Sequence, residues 1–166
     1  MTKHRTFGLL VALLATTACA ATYTDSTYGF RPTYPAAWTA RQNVMGAAVA
    51  ILAPPVNGFS RNVNVVVVGG APAGTTLDAV YAGNLASLRT LITDFTVVSQ
   101  RSVTVGGQRG RELVYTGRQG QFNLRQKQRY VLRGDRYYVL TATALKSDAG
   151  AEAALNPVLD SFKFGK

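Results

Sequence analysis

The pattern of apolar and polar positions along the chain predicts seven strands and two helices. Most of the predicted strands are rich in β-branched or aromatic residues and end at Gly or Pro turn signals. The helices are predicted where apolar residues recur every three or four positions. The predicted strands cover residues 28–38, 47–53, 62–68, 95–105, 109–118, 124–132 and 136–145, and the predicted helices cover 76–92 and 149–164.

The order of these elements predicts the fold class. The joints among the last four strands, such as 106–107 and 117–120, are too short for parallel crossovers, so these strands should pair antiparallel. Thr75 or Thr76 is expected to cap the first helix, and Pro157 to bend or restart the second. The apolar stripes of both helices need a sheet to pack against. The sequence therefore predicts an α+β fold, an antiparallel β-sheet of about six or seven strands flanked by helices.

A tripeptide between the last two predicted strands matches a cell-adhesion signal, Arg133-Gly134-Asp135. Gly134 and Asp135 also suit the centre of a two-residue hairpin turn. That placement makes Tyr130 oppose Val139 and puts apolar pairs on both faces of the hairpin. A turn explains the tripeptide without an adhesion receptor.

The start of the chain is typical of an export signal. A short cationic stretch precedes the apolar run of residues 7–15, which is far shorter than the roughly 20 residues of a membrane-spanning helix. Residues 1–18 are therefore predicted to be a signal peptide. Residues 19–27 are predicted to be a polar linker, and 28–166 to be one domain.

Two cleavage sites are compatible with the residues around Cys19. Residues 16–19 resemble a bacterial lipobox, which would make Cys19 a lipidated first residue, although Thr16 stands where Leu is usual. Alternatively, Ala18-Cys19-Ala20 is an A-x-A site that is cut after Ala20. Cys19 is the single cysteine, so no intramolecular disulfide can form. We expect an envelope or periplasmic protein that is membrane-anchored or, with the second site, soluble and secreted.

Positive charge is concentrated in one part of the chain. The protein has 18 basic and 8 acidic residues, and nine of the basic ones lie in the range 101–136. Alternating cations on a strand share a face, because strands have a period of two. Such a stripe is either a solvated face or a surface for an anionic partner, namely lipid headgroups, an envelope polymer or an acidic protein. The candidate residues are Arg109, Arg111, Arg125, Lys127 and Arg129.

Several catalytic chemistries lack the side chains that they need. The single histidine, His4, lies in the predicted signal peptide, which leaves the domain without an imidazole base. Ser-His-Asp and Cys-His mechanisms and zinc sites of His or Cys are therefore not expected. The acidic residues show no calcium-loop pattern, and the Gly-rich pieces lack the Lys-Ser/Thr of a phosphate loop. We predict no catalytic residue, no metal and no cofactor, although a hydrolase built on paired carboxylates stays open.

The motifs in 28–38, 62–68 and 158–164 resemble the PsbP-like and DcrB-like bacterial proteins. These motifs read YGFRPTYPAAW, NVNVVVV and VLDSFKF, and the resemblance covers residues 28–164. It implies an antiparallel sheet flanked by helices in a non-enzymatic protein, often an envelope lipoprotein. Trp38 and Phe162 match positions of the family and are assigned to the core.

These observations predict a non-enzymatic binding or assembly module of the cell envelope. The partner would be anionic, and the membrane would be reached through lipid on Cys19. Nucleic acid is a weaker candidate, although tyrosines lie among the cations and could stack on bases. The alternative is a small-molecule carrier or sensor with a pocket between sheet and helix.

Overall fold

The computed structural model describes residues 19–165, so the predicted signal peptide at 1–18 lies outside the described residues. In chain order the elements are β1 Ala20–Thr22, β2 Phe30–Arg31, β3 Thr33–Pro35, β4 Thr39–Val44, β5 Ala47–Leu52, β6 Asn62–Val68, α1 Leu77–Leu91, β7 Thr93–Val105, β8 Gln108–Gln119, β9 Phe122–Arg133, β10 Arg136–Leu145, α2 Ala151–Asp160 and β11 Lys163–Phe164.

Seven strands form one antiparallel sheet in the order β4-β5-β6-β10-β9-β8-β7. Strands β7 to β10 follow one another as hairpins, and Tyr130 opposes Val139 as predicted. Between β9 and β10, Gly134 has a φ of 62°, which glycine adopts without steric cost. The predicted α+β fold, an antiparallel sheet with flanking helices, is confirmed.

The two helices pack on opposite faces of the sheet. Helix α1 connects β6 to the edge strand β7 and packs on β7, β8 and β9. The Thr76 hydroxyl caps it by accepting a hydrogen bond from the Ala79 N–H at 3.1 Å. Helix α2 packs against β10, β6 and β3 on the other face. Each face therefore has a hydrophobic core of its own.

The larger core lies under α2 and the smaller one under α1. In the larger core the rings of Phe30 and Phe162 stack with centroids 5.3 Å apart, and Phe162 is buried as predicted. Trp38 is half-buried at the margin of this core. In the smaller core the rings of Tyr81 and Tyr130 meet edge to face at 5.4 Å. The short ladder of β2 with β11 closes the larger core at one end.

Three elements differ from the prediction, namely the strand predicted at 28–38, β4 and α2. The strand predicted at 28–38 is two short strands, β2 and β3, which lie outside the seven-stranded sheet. Strand β4 was not predicted, because its sequence TARQNV is mostly exposed at the edge of the sheet and lacks an apolar alternation. Helix α2 ends at Asp160 instead of 164 and continues through Pro157. Its end is fixed because the Ser161 hydroxyl accepts from the Thr33 N–H at 2.8 Å and Lys163 pairs with Arg31.

The predicted linker at 19–27 is instead packed on the domain. Strand β1 pairs with β3, and the Cys19 carbonyl accepts a hydrogen bond from the Ala36 N–H at 2.9 Å. Asp25 is buried and accepts hydrogen bonds from the Tyr23 hydroxyl and the Tyr28 N–H. Burial and the Asp25 carboxylate raise the pKa of Tyr23 to about 12. The domain therefore begins close to residue 19.

Candidate functional site

The three cations of β9 lie alongside α2, which itself packs on β10 and β6. Arg125, Lys127 and Arg129 share one face as predicted, and each reaches a polar residue of the helix. Arg125 Nη2 lies 2.9 Å from Glu152 Oε1, Lys127 Nζ 2.8 Å from Asn156 Oδ1, and Arg129 Nη1 2.7 Å from Asp160 Oδ1. Two strand residues rise about 6.7 Å and four helix residues about 6.0 Å, so the two spacings match.

Arg129, the most buried of the three cations, also forms an ion pair with the buried Glu112. Glu112 is 2% exposed, and its two oxygens accept from Arg101 Nε at 2.7 Å and Arg129 Nε at 2.8 Å. Burial alone would raise the pKa of Glu112. The two guanidinium groups outweigh that effect and hold its pKa below the usual value. Glu112 is therefore a charged structural group at neutral pH.

The other two predicted cations lie on the opposite face, beside α1. The guanidinium carbon of Arg111 lies 4.9 Å from the centre of the Tyr81 ring, and its Nη1 lies 3.6 Å from Asp78 Oδ1. Arg109 is exposed, with Nη2 3.9 Å from Asp78 Oδ2. The prediction of one basic surface from five residues is therefore corrected. Hairpin β8–β9 divides them between two faces, and three of them contact α2.

A neutral polar array occupies the α1 face, on strands β6, β10 and β9. The register places its six side chains in two rows of three neighbours. One row is Asn62, Thr143 and Gln126, and the other is Asn64, Thr141 and Gln128. Helix α1 packs mainly on β7 to β9, so most of this array lies beside the helix. We call this set of six residues the polar array.

The two glutamines of the polar array are fixed by buried tyrosines. The Tyr115 hydroxyl donates to Gln126 Oε1, and the Tyr130 hydroxyl donates to Gln128 Oε1. Gln128 Nε2 in turn donates to the Tyr115 hydroxyl at 3.3 Å. Burial raises the pKa of both tyrosines, which keeps both hydroxyls protonated at neutral pH. One side of the array is therefore held in a defined geometry.

The other four members of the polar array keep free hydrogen-bonding capacity. Within residues 19–165 the side chain of Asn62 donates to the Ser60 carbonyl, which leaves its amide oxygen free. Asn64, Thr141 and Thr143 form no side-chain hydrogen bond in this part of the chain. The two asparagines are half-buried and so partly open to a binding partner or to water, whereas Thr141 and Thr143 are each only 7% exposed.

The polar array was not predicted, although its signal is present in the sequence. Polar residues alternate with apolar ones in NVNV at 62–65 and TATA at 141–144, and with lysine in QKQ at 126–128. Polar alternation in the central strands of a sheet indicates a face without an apolar cover. None of the six residues is ionisable, so the array adds nothing to the charge pattern of the chain.

The structure also places Cys19 and the adhesion-like tripeptide. Cys19 is exposed and lines a groove between β3 and α2 with a volume of about 290 Å³. In the adhesion-like tripeptide, the Arg133 guanidinium donates to the Gly165 carbonyl at 3.2 Å and packs over the Phe164 ring. The tripeptide therefore forms a turn that is partly bound to the domain.

The described residues contain no cluster of His, Cys, Asp and Glu that could hold a metal ion. None of their helices combines the length and the apolar character that crossing a membrane requires. A cavity between the sheet and α2, lined by Ala142 and Leu155 among others, has a volume of about 20 Å³. That space fits about one water molecule and is far below the size of a small-molecule site.

A family model described as DcrB matches residues 15–161. The chain belongs to the DcrB family. The resemblance seen in the sequence is thereby confirmed over most of the chain. No curated protein matches the sequence.

Solved structures share the fold of this DcrB-family protein at low sequence identity. Cyanobacterial PsbP (CyanoP) from Synechocystis is 14% identical with a TM-score of 0.66, covering 94% of this chain and 98% of its own. LpqN, involved in cell envelope biogenesis of Mycobacterium tuberculosis, is 14% identical with a TM-score of 0.65, covering 89% and 91%. A protein from Bacteroides thetaiotaomicron is 12% identical with a TM-score of 0.61, covering 87% and 48%. These likenesses establish a PsbP-like fold.

Proposed function

We propose that this DcrB-family protein is an exported, non-enzymatic binding or assembly module of the bacterial cell envelope, anchored by lipid on Cys19. Membership of the DcrB family and the signal-like start of the chain support this proposal. LpqN, which has the same fold, is described as involved in cell envelope biogenesis. The exposed position of Cys19 on a folded domain is compatible with an attached lipid.

The carboxylates are arranged as structural partners of arginines. Seven of the eight have an oxygen within 4.0 Å of an arginine nitrogen. These seven are Asp78, Asp94, Glu112, Asp135, Asp148, Glu152 and Asp160. The pKa of Glu112 and that of Glu152 are both lowered, whereas a general acid at neutral pH needs a raised pKa. This supports a binding function over a hydrolase that uses paired carboxylates.

The single observation that carries the binding role is the polar array. Its unused amide and hydroxyl groups lie on a sheet whose other face is closed by α2 and a large core. Buried tyrosines hold two of its members in place. A rigid set of neutral hydrogen-bonding groups suits a partner that brings its own polar groups into register. The predicted basic stripe is a weaker candidate, because three of its five cations are bound to α2.

In-cell cross-linking tests the binding role. A photo-reactive amino acid is placed at Asn64, inside the polar array, and as a control at exposed Gln108, in the β7–β8 hairpin. We expect a defined cross-linked species from Asn64 that disappears when Thr141→Val and Thr143→Val are added. No such species, or an equal yield from Gln108, would contradict the proposed surface.

Mass spectrometry tests the anchor separately. We expect the membrane fraction to contain a mature chain that starts at Cys19 and carries added lipid mass. The Cys19→Ala variant should lose this mass and leave the membrane fraction. A mature chain that starts at Ala21 without added lipid would refute the anchor but not the binding role.

A further inference from the structure

Two cations face each other at the end of the domain that lies near Cys19. Arg31 and Lys163 are directly paired across the ladder of β2 with β11. Their neighbours Phe30 and Phe164 turn to the core side, so both cations project outwards and are exposed. The nine ion pairs formed within residues 19–165 include neither of them. Like charges placed directly opposite destabilise an antiparallel pair, unless an anion binds between them.

A polar hollow of about 470 Å³ lies beside this cation pair. Besides Arg31 and Lys163, its walls contain Thr22, Thr33 and Ser161. The hydroxyls of Thr22 and Thr33 are exposed and lie 3.2 Å apart. Cationic groups together with hydroxyl donors are the usual ligands of a phosphate group in proteins. The hollow therefore has the charge and the donors that a phosphate ester needs.

The polar hollow is continuous with the apolar groove at Cys19. Thr33 and Ser161 line both of them. The wall of the groove is otherwise mainly small apolar residues, among them Ala153, Ala154 and Pro157 of α2. The face therefore presents a cationic hollow at one end and an apolar groove at the other. This is the order of headgroup and hydrocarbon in an anionic lipid.

We infer that this face lies on the membrane and binds the phosphate headgroup of an anionic bilayer lipid. Arg31 and Lys163 contact the phosphate, and the groove lies against the hydrocarbon that follows it. The inference extends the proposed function, since lipid on Cys19 would hold this face at the bilayer. The polar array is part of a different surface, and so remains available to a partner.

Vesicle co-sedimentation tests the membrane face without the anchor. Both cores are built from residues between 30 and 162, so a protein that starts at residue 19 retains them. It carries Cys19→Ser and is mixed with vesicles of phosphatidylglycerol and phosphatidylcholine in equal amounts. Juxtamembrane cations contribute about 1 kcal/mol each. Arg31→Gln with Lys163→Gln should therefore weaken binding roughly 30-fold.

A matched control separates this face from the overall positive charge. Arg109→Gln with Lys146→Gln removes the same charge from exposed residues that line neither the hollow nor the groove. We expect this control to bind nearly as the parent does. Equal losses from both double variants would overturn the inference, as would absence of binding by the folded parent.

Two further arms identify the ligand. Ala153→Glu, at an exposed position of the groove, should weaken vesicle binding, because it puts a carboxylate against the hydrocarbon. Unchanged binding would exclude the groove from the contact. Inorganic phosphate, added in excess over lipid, should leave most binding intact. Displacement by phosphate would show a site for a soluble anion and would overturn the membrane assignment. None of these results depends on whether Cys19 is lipidated.

Discussion

The two faces of the sheet differ in how they use their polar residues. On the α2 face the polar side chains are charged and bind one another, with Glu112 at the centre between Arg101 and Arg129. On the α1 face the central strands present uncharged side chains, and several form no hydrogen bond within residues 19–165. The first face is covered by α2 together with β2, β3 and β11, whereas the helix on the second face packs mainly on β7 to β9.

A row of charges is therefore not by itself a binding surface. Charges that alternate on a strand at the same pitch as carboxylates on a helix can bind that helix. Burying a charge is expensive unless a partner compensates it, and the buried Arg129 has two acidic neighbours, Glu112 and Asp160. Burying a neutral polar group costs less than burying a charge, so a neutral group can stay in a half-buried surface without a partner in the protein. Four measurements, in order of decreasing expected effect, test this comparison.

The largest effect is expected from Glu112→Gln. The change leaves the buried Arg129 with less compensation, and breaking a buried pair typically costs about 3–5 kcal/mol. Urea unfolding should show that loss in the free energy of unfolding. Glu152→Gln makes the same chemical change at the exposed end of the α2 contact, and should cost less than about 1 kcal/mol. Similar losses in both variants would contradict the comparison.

Acid should weaken the α2 face first. The folded pKa of Glu112 lies below its usual value of 4.5. Its contribution to stability is therefore full above about pH 4.5 and is lost as the pH falls through the lowered folded value. Urea midpoints measured across this range should fall steeply in the parent and less steeply in Glu112→Gln. Parallel curves would assign the acid sensitivity to other carboxylates.

A smaller effect is expected from Tyr115→Phe on the α1 face. The change removes the hydroxyl that donates to Gln126 and accepts from Gln128. Neutral hydrogen bonds contribute about 1 kcal/mol each, so the free energy of unfolding should fall by about 1–2 kcal/mol. The pH dependence should be unchanged, because no charge is lost. A loss as large as that of Glu112→Gln would show that the polar groups of the two faces contribute equally to stability, and would contradict the comparison.

The smallest effect on stability is expected from Thr141→Val with Thr143→Val. Valine has nearly the shape of threonine, and the buried hydroxyls of Thr141 and Thr143 form no hydrogen bond within residues 19–165. Each change therefore removes no hydrogen bond, and should cost less free energy of unfolding than the roughly 1 kcal/mol of a typical hydrogen bond. Together they should still abolish cross-linking from Asn64. Loss of both folding and cross-linking would make the array structural.

The hairpin of β9 with β10 could be predicted to the residue from the sequence alone. Its two-residue turn fixes the register, and register fixes which side chains face one another. A cap of α1 at Thr75 or Thr76 was predicted for a similar reason, since capping depends on neighbours three residues away, and the structure has Thr76. Strand β4 and strand β11 escaped prediction. Each depends on a distant partner, β5 for the first and β2 for the second.

The candidate sites also have one part that local sequence predicts and another that depends on distant partners. The cations of β9 were predicted to share a face, which the strand period alone decides. That α2 would contact them could not be predicted, because the match between positions 125–129 and 152–160 appears only when the helix is docked. The signal of the polar array is present in the sequence as the alternation of polar residues within each strand. Its two rows form only when β6, β10 and β9 are in register.

The sequence by itself determined the periods of the strands and helices, the hairpin turns and the membership of the DcrB family. Each of these depends on residues close together in the chain or on similarity along it. Tertiary structure alone decided which face each helix covers, and therefore which polar groups are already satisfied. The reason is physical: whether a charge or an amide is free depends on neighbours that folding brings from distant positions.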